Sequence, residues 1–119
     1  MAILGGTGKT HCYNTLTRIV RSKKKRVVSV AWTGIAATLL IGGRTVHSIF
    51  QLPLEMHETS ASTMSLNSKK AKVLKEADLI IWDEAPMAPL HALNTIDRLL
   101  KKLMNNNLPF GGKVIVLGM

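Results

Sequence analysis

Acidic side chains are scarce in this sequence. Seven Asp and Glu stand against sixteen Lys and Arg, for a formal charge of +9, and none of the seven precedes Glu55. Half of the basic residues (Lys9, Arg18, Arg21, Lys23, Lys24, Lys25, Arg26 and Arg44) therefore lie in a stretch with no negative side chain, which favours polyanionic partners such as nucleic acid or nucleotide phosphates. Cysteine is nearly absent. Cys12 alone can form no internal disulfide, which fits a reducing compartment. No apolar run approaches the roughly 20 residues that a membrane helix needs, so no spanning segment and no membrane partner is expected. The residues ahead of the first glycines, "MAIL", lack the basic region and apolar core of a secretory signal. At 119 residues, with 46% hydrophobic and 19% charged, the chain has room for a core but for one domain at most.

Periodicity separates the chain into short strands and helices with no internal repeat. Cys12, Leu16, Ile19 and Val20 recur at helical spacing, which predicts a helix over 10–20 opening at a glycine-rich turn. "RVVSVA" (26–31) reads as a buried strand, and "IAATLL" as the helix after it. The run "RSKKKR" bridges the first helix and that strand, either as a solvated turn or as a phosphate-contacting or nuclear-targeting segment. Residues 51–67 are polar and unperiodic and read as a surface loop. Ser68 can cap a helix over "KKAKVLKEA", and "DLIIW" (78–82) is the strongest strand signal. Pro89 suits the first turn of a helix carrying Leu93, Ile96, Leu99, Leu100 and Leu103, with Lys101 and Lys102 near its negative end. "NNNLPFGG" closes that helix and "KVIVL" (113–117) is a last strand. Apolar strands alternating with helices predict an α/β fold whose parallel sheet is covered on both faces.

Two stretches have the composition of a nucleotide site. In "GGTGKT", Gly5, Gly6 and Gly8 would let backbone amides wrap phosphates with no side chain in the way, Thr7 lies within the turn, Lys9 supplies a point charge, and the Thr10 hydroxyl can ligate magnesium. The full pattern, G-x-x-x-x-G-K-[ST], is met at Gly8, Lys9 and Thr10, but its first position falls on Ile3. The second stretch, "LIIWDEAP", sets Asp83 and Glu84 at the carboxyl end of a strand, where open α/β sheets bind ligands. One acid could hold Mg²⁺ and the next polarise a water for attack on a γ-phosphate. Each signal alone also fits an ordinary turn. Together they are the two halves of one magnesium-nucleotide site.

With "TGIAATLLIGGRTVHSIF" between them, these stretches resemble, in order and separation and over nearly the whole chain, the PIF-type (petite integration frequency) 5′-to-3′ DNA helicases of superfamily 1. The resemblance implies an incomplete RecA-like P-loop NTPase domain that takes ATP with Mg²⁺ and single-stranded DNA. Position by position, it implies that Gly5, Gly6, Thr7, Gly8, Lys9 and Thr10 bind nucleotide, that Thr10 and Asp83 meet magnesium, and that Glu84 is the base. Thr33, Gly34, Arg44, Thr45, His47 and Ser48 would lie along the DNA, with amides, hydroxyls and Arg44 holding phosphates without reading sequence. His47 also reads as a structural hydrogen-bonding residue, Trp32 and Phe50 as core aromatics or base-stacking platforms, and Cys12 as a small buried apolar residue. A family of this kind works in repair, recombination and telomere upkeep, in the nucleus or, alternatively, the mitochondrion.

The same resemblance requires a strand ahead of the glycine loop, with "MAIL" as its stub and the last strand beside it. A strand that short would leave "KVIVL" as an exposed apolar edge. The family pattern continues past "VIVLG" into a Gly-Asp-Phe-Arg-Gln type segment that senses the γ-phosphate, then into a second RecA-like domain whose arginines contribute on the order of 10³ to 10⁵ in rate in phosphoryl-transfer enzymes. The expectation is part of a motor domain with weak nucleotide binding and little or no turnover. Two other readings stand beside it: a non-enzymatic nucleic-acid-binding remnant, and another phosphate-loop protein such as a small kinase or GTPase.

Overall fold

The run "LIIWD" becomes the central strand of a sheet, and all five of its residues are buried, as an unbroken apolar run requires when both faces are covered. A computed structural model describes residues 2–4, 9–52 and 61–118. In chain order the elements are β1 (Ala2–Leu4), α1 (Lys9–Ser22), β2 (Val27–Ala31), α2 (Gly34–Leu39), β3 (Arg44–Thr45), α3 (Val46–Phe50), α4 (Lys69–Glu76), β4 (Leu79–Asp83), α5 (Leu90–Met104) and β5 (Val114–Gly118). Single 3₁₀ turns occupy Ala85–Met87 and Pro109–Gly112.

The five strands are all parallel, in the order β1-β5-β4-β2-β3. Side-chain alternation along β4 divides the core in two. Leu79 and Ile81 pack with Tyr13, Ala37, Leu40 and Val116 on the α1 and α2 face. Ile80 and Trp82 pack with Phe50, Leu74, Ile96 and Leu100 on the face that carries α3, α4 and α5. Each fully buried residue of this size contributes ~1.5–3 kcal/mol of hydrophobic free energy.

The predicted stub is β1, paired with β5 as Ala2↔Val116, Ile3↔Leu117 and Leu4↔Gly118. "KVIVL" is consequently not the sheet edge that its composition suggests. β5 is an inner strand over Val116 to Gly118, although Val114 remains 57% exposed. Two elements escaped the periodicity. "GRTVHSIF" holds the two-residue β3, which pairs with β2, and the single-turn helix α3, both too short for a repeating pattern to emerge. The expected surface loop at 51–67 lies partly outside the described residues; its described parts, 51–52 and 61–67, have no regular structure, but Leu52 and Met64 are buried in the core because they are apolar.

The first helix is rotated from expectation. Cys12 is exposed and Ile19 is half exposed, while Tyr13 and Thr17 are buried. Thr17 can face the core because its hydroxyl donates to the Tyr13 carbonyl at 2.8 Å, one helical turn back. The "RSKKKR" run ends α1 and turns into β2 with every side chain exposed. It sits at the amino ends of the strands, about 16 Å of strand length from their carboxyl ends.

Capping follows the predicted chemistry. The Ser68 hydroxyl accepts from the Ala71 amide at 3.1 Å at the start of α4. At its other end Lys113 Nζ donates to the carbonyls of Lys75 and Ala77, both at 2.7 Å, and its burial lowers the Lys113 pKa.

Asp97 fastens α5 to the turn before β5. Its carboxylate accepts from the Phe110 amide at 2.7 Å and pairs with Lys101 at 2.9 Å. Burial pushes the Asp97 pKa up, but the Lys101 and Phe110 hydrogen bonds outweigh it and leave the group below its ordinary value. A lowered carboxylate pKa stabilises the fold above the unfolded-state value, and that contribution is lost as pH falls through the folded value. Asp97→Asn is therefore expected to lose ~1–2 kcal/mol near pH 7 in urea unfolding and to converge with the parent as pH falls through the lowered Asp97 value. A deficit that persists unchanged into acid would sink this account.

Candidate functional site

The carboxyl ends of the strands form one row. Register places Leu4 against Gly118, Asp83 against Ala31, and Ala31 against Thr45, while β5 runs beside β4 with Leu117 against Trp82. Residues just past this row (Glu84 after β4, Thr33 after β2, the start of α1 after β1) converge on one edge of the molecule. Three sequence motifs far apart in the chain thus meet because parallel strands all end on the same side.

Asp83 is the last residue of β4 and is 5% exposed. Its Oδ1 accepts from the Tyr13 hydroxyl at 3.3 Å and from the Glu84 amide at 2.9 Å. Tyr13, fully buried in the second turn of α1, has its pKa raised by burial and next by the Asp83 charge, so its phenol stays protonated and remains a donor. The contact ties α1, and with it Lys9 and Thr10 at the helix start, to the Asp83 strand end. Gly118 fits over this pair only because it lacks a side chain. A Cβ there would stand 1.8 Å from the Tyr13 hydroxyl and 2.6 Å from Asp83 Oδ1.

Glu84 adopts φ 60°, ψ 30°, the left-handed region that a non-glycine residue enters at a cost of about 1–3 kcal/mol. This turns its carboxylate back toward β2. There Oε1 accepts from both the Thr33 amide and the Thr33 hydroxyl, each at 2.9 Å. The same hydroxyl accepts from the Ala36 amide at 3.3 Å and caps α2.

The rest of the middle block is arranged around these residues. Gly34 opens α2 and is exposed, as is Arg44 on the edge strand β3. The Thr45 hydroxyl caps α3 by accepting from the Ser48 amide at 3.2 Å. The half-buried His47 ring leans on Trp32, with centroids 4.6 Å apart and planes 51° apart, so this histidine serves as an aromatic contact. Phe50 is a core residue facing Trp82 at 6.4 Å. Trp32 stays half-buried beside His47.

Gly5, Gly6, Thr7 and Gly8 lie outside the described residues, between β1 and α1. Lys9 and Thr10 form the first turn of α1, a 14-residue helix whose amino end carries a partial positive charge. Sequence reasoning missed Tyr13 and Asn14. Asn14 donates to the Leu39 carbonyl at 3.1 Å and accepts from the Ile41 amide at 3.0 Å, locking α1 to the middle block. The signal was available in Tyr13, the lone tyrosine of the chain, one turn past Lys9.

Residues 2–119 match the family described as PIF1-like helicase. The chain belongs to that family. Among its relatives, "ATP-dependent DNA helicase Pif1" of Psychrobacter sp. is 34% identical over 116 residues, 95% of this chain and 18% of that protein. "ATP-dependent DNA helicase PIF1" of Candida albicans is 36% identical over 114 residues, 93% of this chain and 12% of that protein. The fold superposes on the Bacteroides Pif1 helicase in complex with ADP-AlF3 and ssDNA with a TM-score of 0.81 at 28% identity, over 98% of this chain and 27% of that one. This chain therefore spans between about an eighth and about a quarter of the length of these PIF1-like proteins.

The residues fit a magnesium-nucleotide. A buried carboxylate and a helix-start threonine are hard oxygen donors of the kind Mg²⁺ takes together with substrate phosphates.

Proposed function

We propose that this chain is the nucleotide-binding part of an ATP-dependent 5′-to-3′ DNA helicase, a partial RecA-like domain over 1–119. In it, residues 5–10 hold phosphates, 33–50 contact single-stranded DNA, and 83–84 serve hydrolysis. One observation carries the reading: Glu84, of the Asp-Glu pair, is hydrogen-bonded twice to Thr33, of the middle block. Nothing in a bare nucleotide-binding fold requires that link. The helicase names of the PIF1-like relatives, and the nucleotide analogue and ssDNA in the Bacteroides complex, support it.

In this reading the amides of Gly5, Gly6, Thr7 and Gly8 surround the phosphates, and Lys9 neutralises charge on them. Thr10 and Asp83 would hold magnesium, which would supply positive charge to offset that of the phosphates. Tyr13 keeps Asp83 aimed at the α1 start. Glu84 orients a water and takes its proton. Thr33, Gly34, Arg44, Thr45, His47 and Ser48 present amides, hydroxyls and one guanidinium to a DNA backbone. Repair, recombination and telomere upkeep are the processes such a motor would serve, in the nucleus first and the mitochondrion second.

Binding tests the proposal directly. Single-stranded oligonucleotide is expected to bind with an affinity that falls as salt rises, to quench Trp32 fluorescence, and to bind more weakly to Arg44→Ala. Mg-ATP is expected to raise the melting temperature, because a ligand that binds only the folded state stabilises it. Oligonucleotide binding that ignores Arg44 and vanishes when Lys23 to Arg26 are neutralised would replace the helicase reading with non-specific attraction to the basic turn.

A further inference from the structure

Thr33 has one amide hydrogen and one hydroxyl hydrogen, and Glu84 Oε1 accepts both at 2.9 Å. An amide N–H and a hydroxyl each carry a single donatable hydrogen. A DNA phosphate can therefore take these donors only by displacing the carboxylate. The geometry points to Thr33 as a shared positioning residue: in the free protein it holds the Glu84 carboxylate, and single-stranded DNA competes for the same two hydrogens. This inference rests on the DNA-contact role proposed above for the middle block.

Three features make the competition physical. Glu84 sits at φ 60°, so its backbone is already turned to bring the carboxylate back over β2, and the Thr33 contact holds it there. Both acceptors in question are anionic, so carboxylate and phosphate are interchangeable partners for the same donors. The Thr33 hydroxyl keeps its acceptor role toward the Ala36 amide whichever anion takes its hydrogen, so α2 need not unravel when the partners change.

The consequence is reciprocal, as linkage requires. DNA that takes the Thr33 donors frees Glu84 to turn toward the start of α1 and the nucleotide. Conversely, anything that removes the Glu84 acceptor should leave Thr33 open to DNA. The polynucleotide thereby reaches the hydrolytic carboxylate through one residue, without a long relay.

A double-mutant cycle on oligonucleotide affinity, read by fluorescence anisotropy with a labelled oligo-dT at fixed salt, tests this without relying on turnover. Glu84→Gln removes the charge but keeps an acceptor of the same shape, whereas Glu84→Ala removes the acceptor. Glu84→Ala is expected to bind about tenfold more tightly than Glu84→Gln, the span of the two uncharged hydrogen bonds that a Gln oxygen would keep to Thr33. In a Thr33→Val background, where only the amide remains to be released, that ratio should shrink to about threefold or less. Thr33→Ser keeps the hydroxyl and should restore the full ratio, and circular dichroism of each variant checks that α2 and the sheet persist. A Glu84→Ala to Glu84→Gln ratio near one, or one unchanged by Thr33→Val, overturns the shared-donor role while leaving DNA binding intact. Absence of oligo-dT binding by the parent chain overturns the DNA reading and this inference with it.

Discussion

Gly118→Ala is expected to destabilise the protein by about 2–4 kcal/mol, an effect large for so small a substitution. The new methyl would be placed 1.8 Å from the Tyr13 hydroxyl and 2.6 Å from Asp83 Oδ1. Tyr13 is fully buried on α1 against the sheet, in a close-packed part of the core. Asp83, held by the Glu84 amide, has no more room. Relief must come from sliding β5, which disturbs its pairing with β1 and β4, or from lifting α1, which breaks the 3.3 Å bond between Tyr13 and Asp83. Urea unfolding measures the loss. In a Tyr13→Phe background the hydroxyl is gone, so Gly118→Ala should cost less there, and the two changes should be non-additive. A Gly118→Ala protein within about 0.5 kcal/mol of the parent would show that β5 and α1 are looser than this packing implies.

Lys9→Ala is expected to weaken Mg-ATP binding about 10- to 100-fold, the range of one lost hydrogen bond to a charged group. Lys9 is the first residue of α1, where the helix end adds positive potential and the Tyr13 to Asp83 contact sets the helix against the β4 end. The melting-temperature rise produced by Mg-ATP should therefore shrink markedly in Lys9→Ala at the same ligand concentration. The unliganded melting temperature should stay close to that of the parent, since the substitution puts a strong helix former at the helix start. A markedly smaller Mg-ATP response with an unchanged unliganded protein supports the phosphate role. An equal response in both proteins would remove residues 5–10 from the nucleotide site.

The strand and helix ends that carry the candidate site could be read in advance because their signals are local. "GKT" needs only its own glycine and the helix it opens, and "LIIWDE" announces a buried strand with acids at its end. The middle block was legible as a unit, yet β3 and α3 were not, because two and five residues cannot display a period. The buried face of α1 was misjudged for a different reason. Cys12 and Ile19 are apolar and carried the pattern, while the residues that turn inward, Tyr13 and Thr17, have polar atoms satisfied by Asp83 and by the helix backbone. Side-chain hydrophobicity alone does not register a polar group that finds its partner only after folding.

The sequence by itself determined the alternation of strands and helices, hence a parallel α/β sheet, and the candidate residues for phosphates and magnesium, because those depend on composition and on neighbours a few positions away. The tertiary structure alone decided the strand order β1-β5-β4-β2-β3, the burial of Tyr13 against Asp83 across 70 positions, and the hold of Thr33 on Glu84 across 51. Such pairs arise where parallel strands, each returned by its own crossover, end side by side. That register is set by helices packing on both faces, and no short-range pattern carries it.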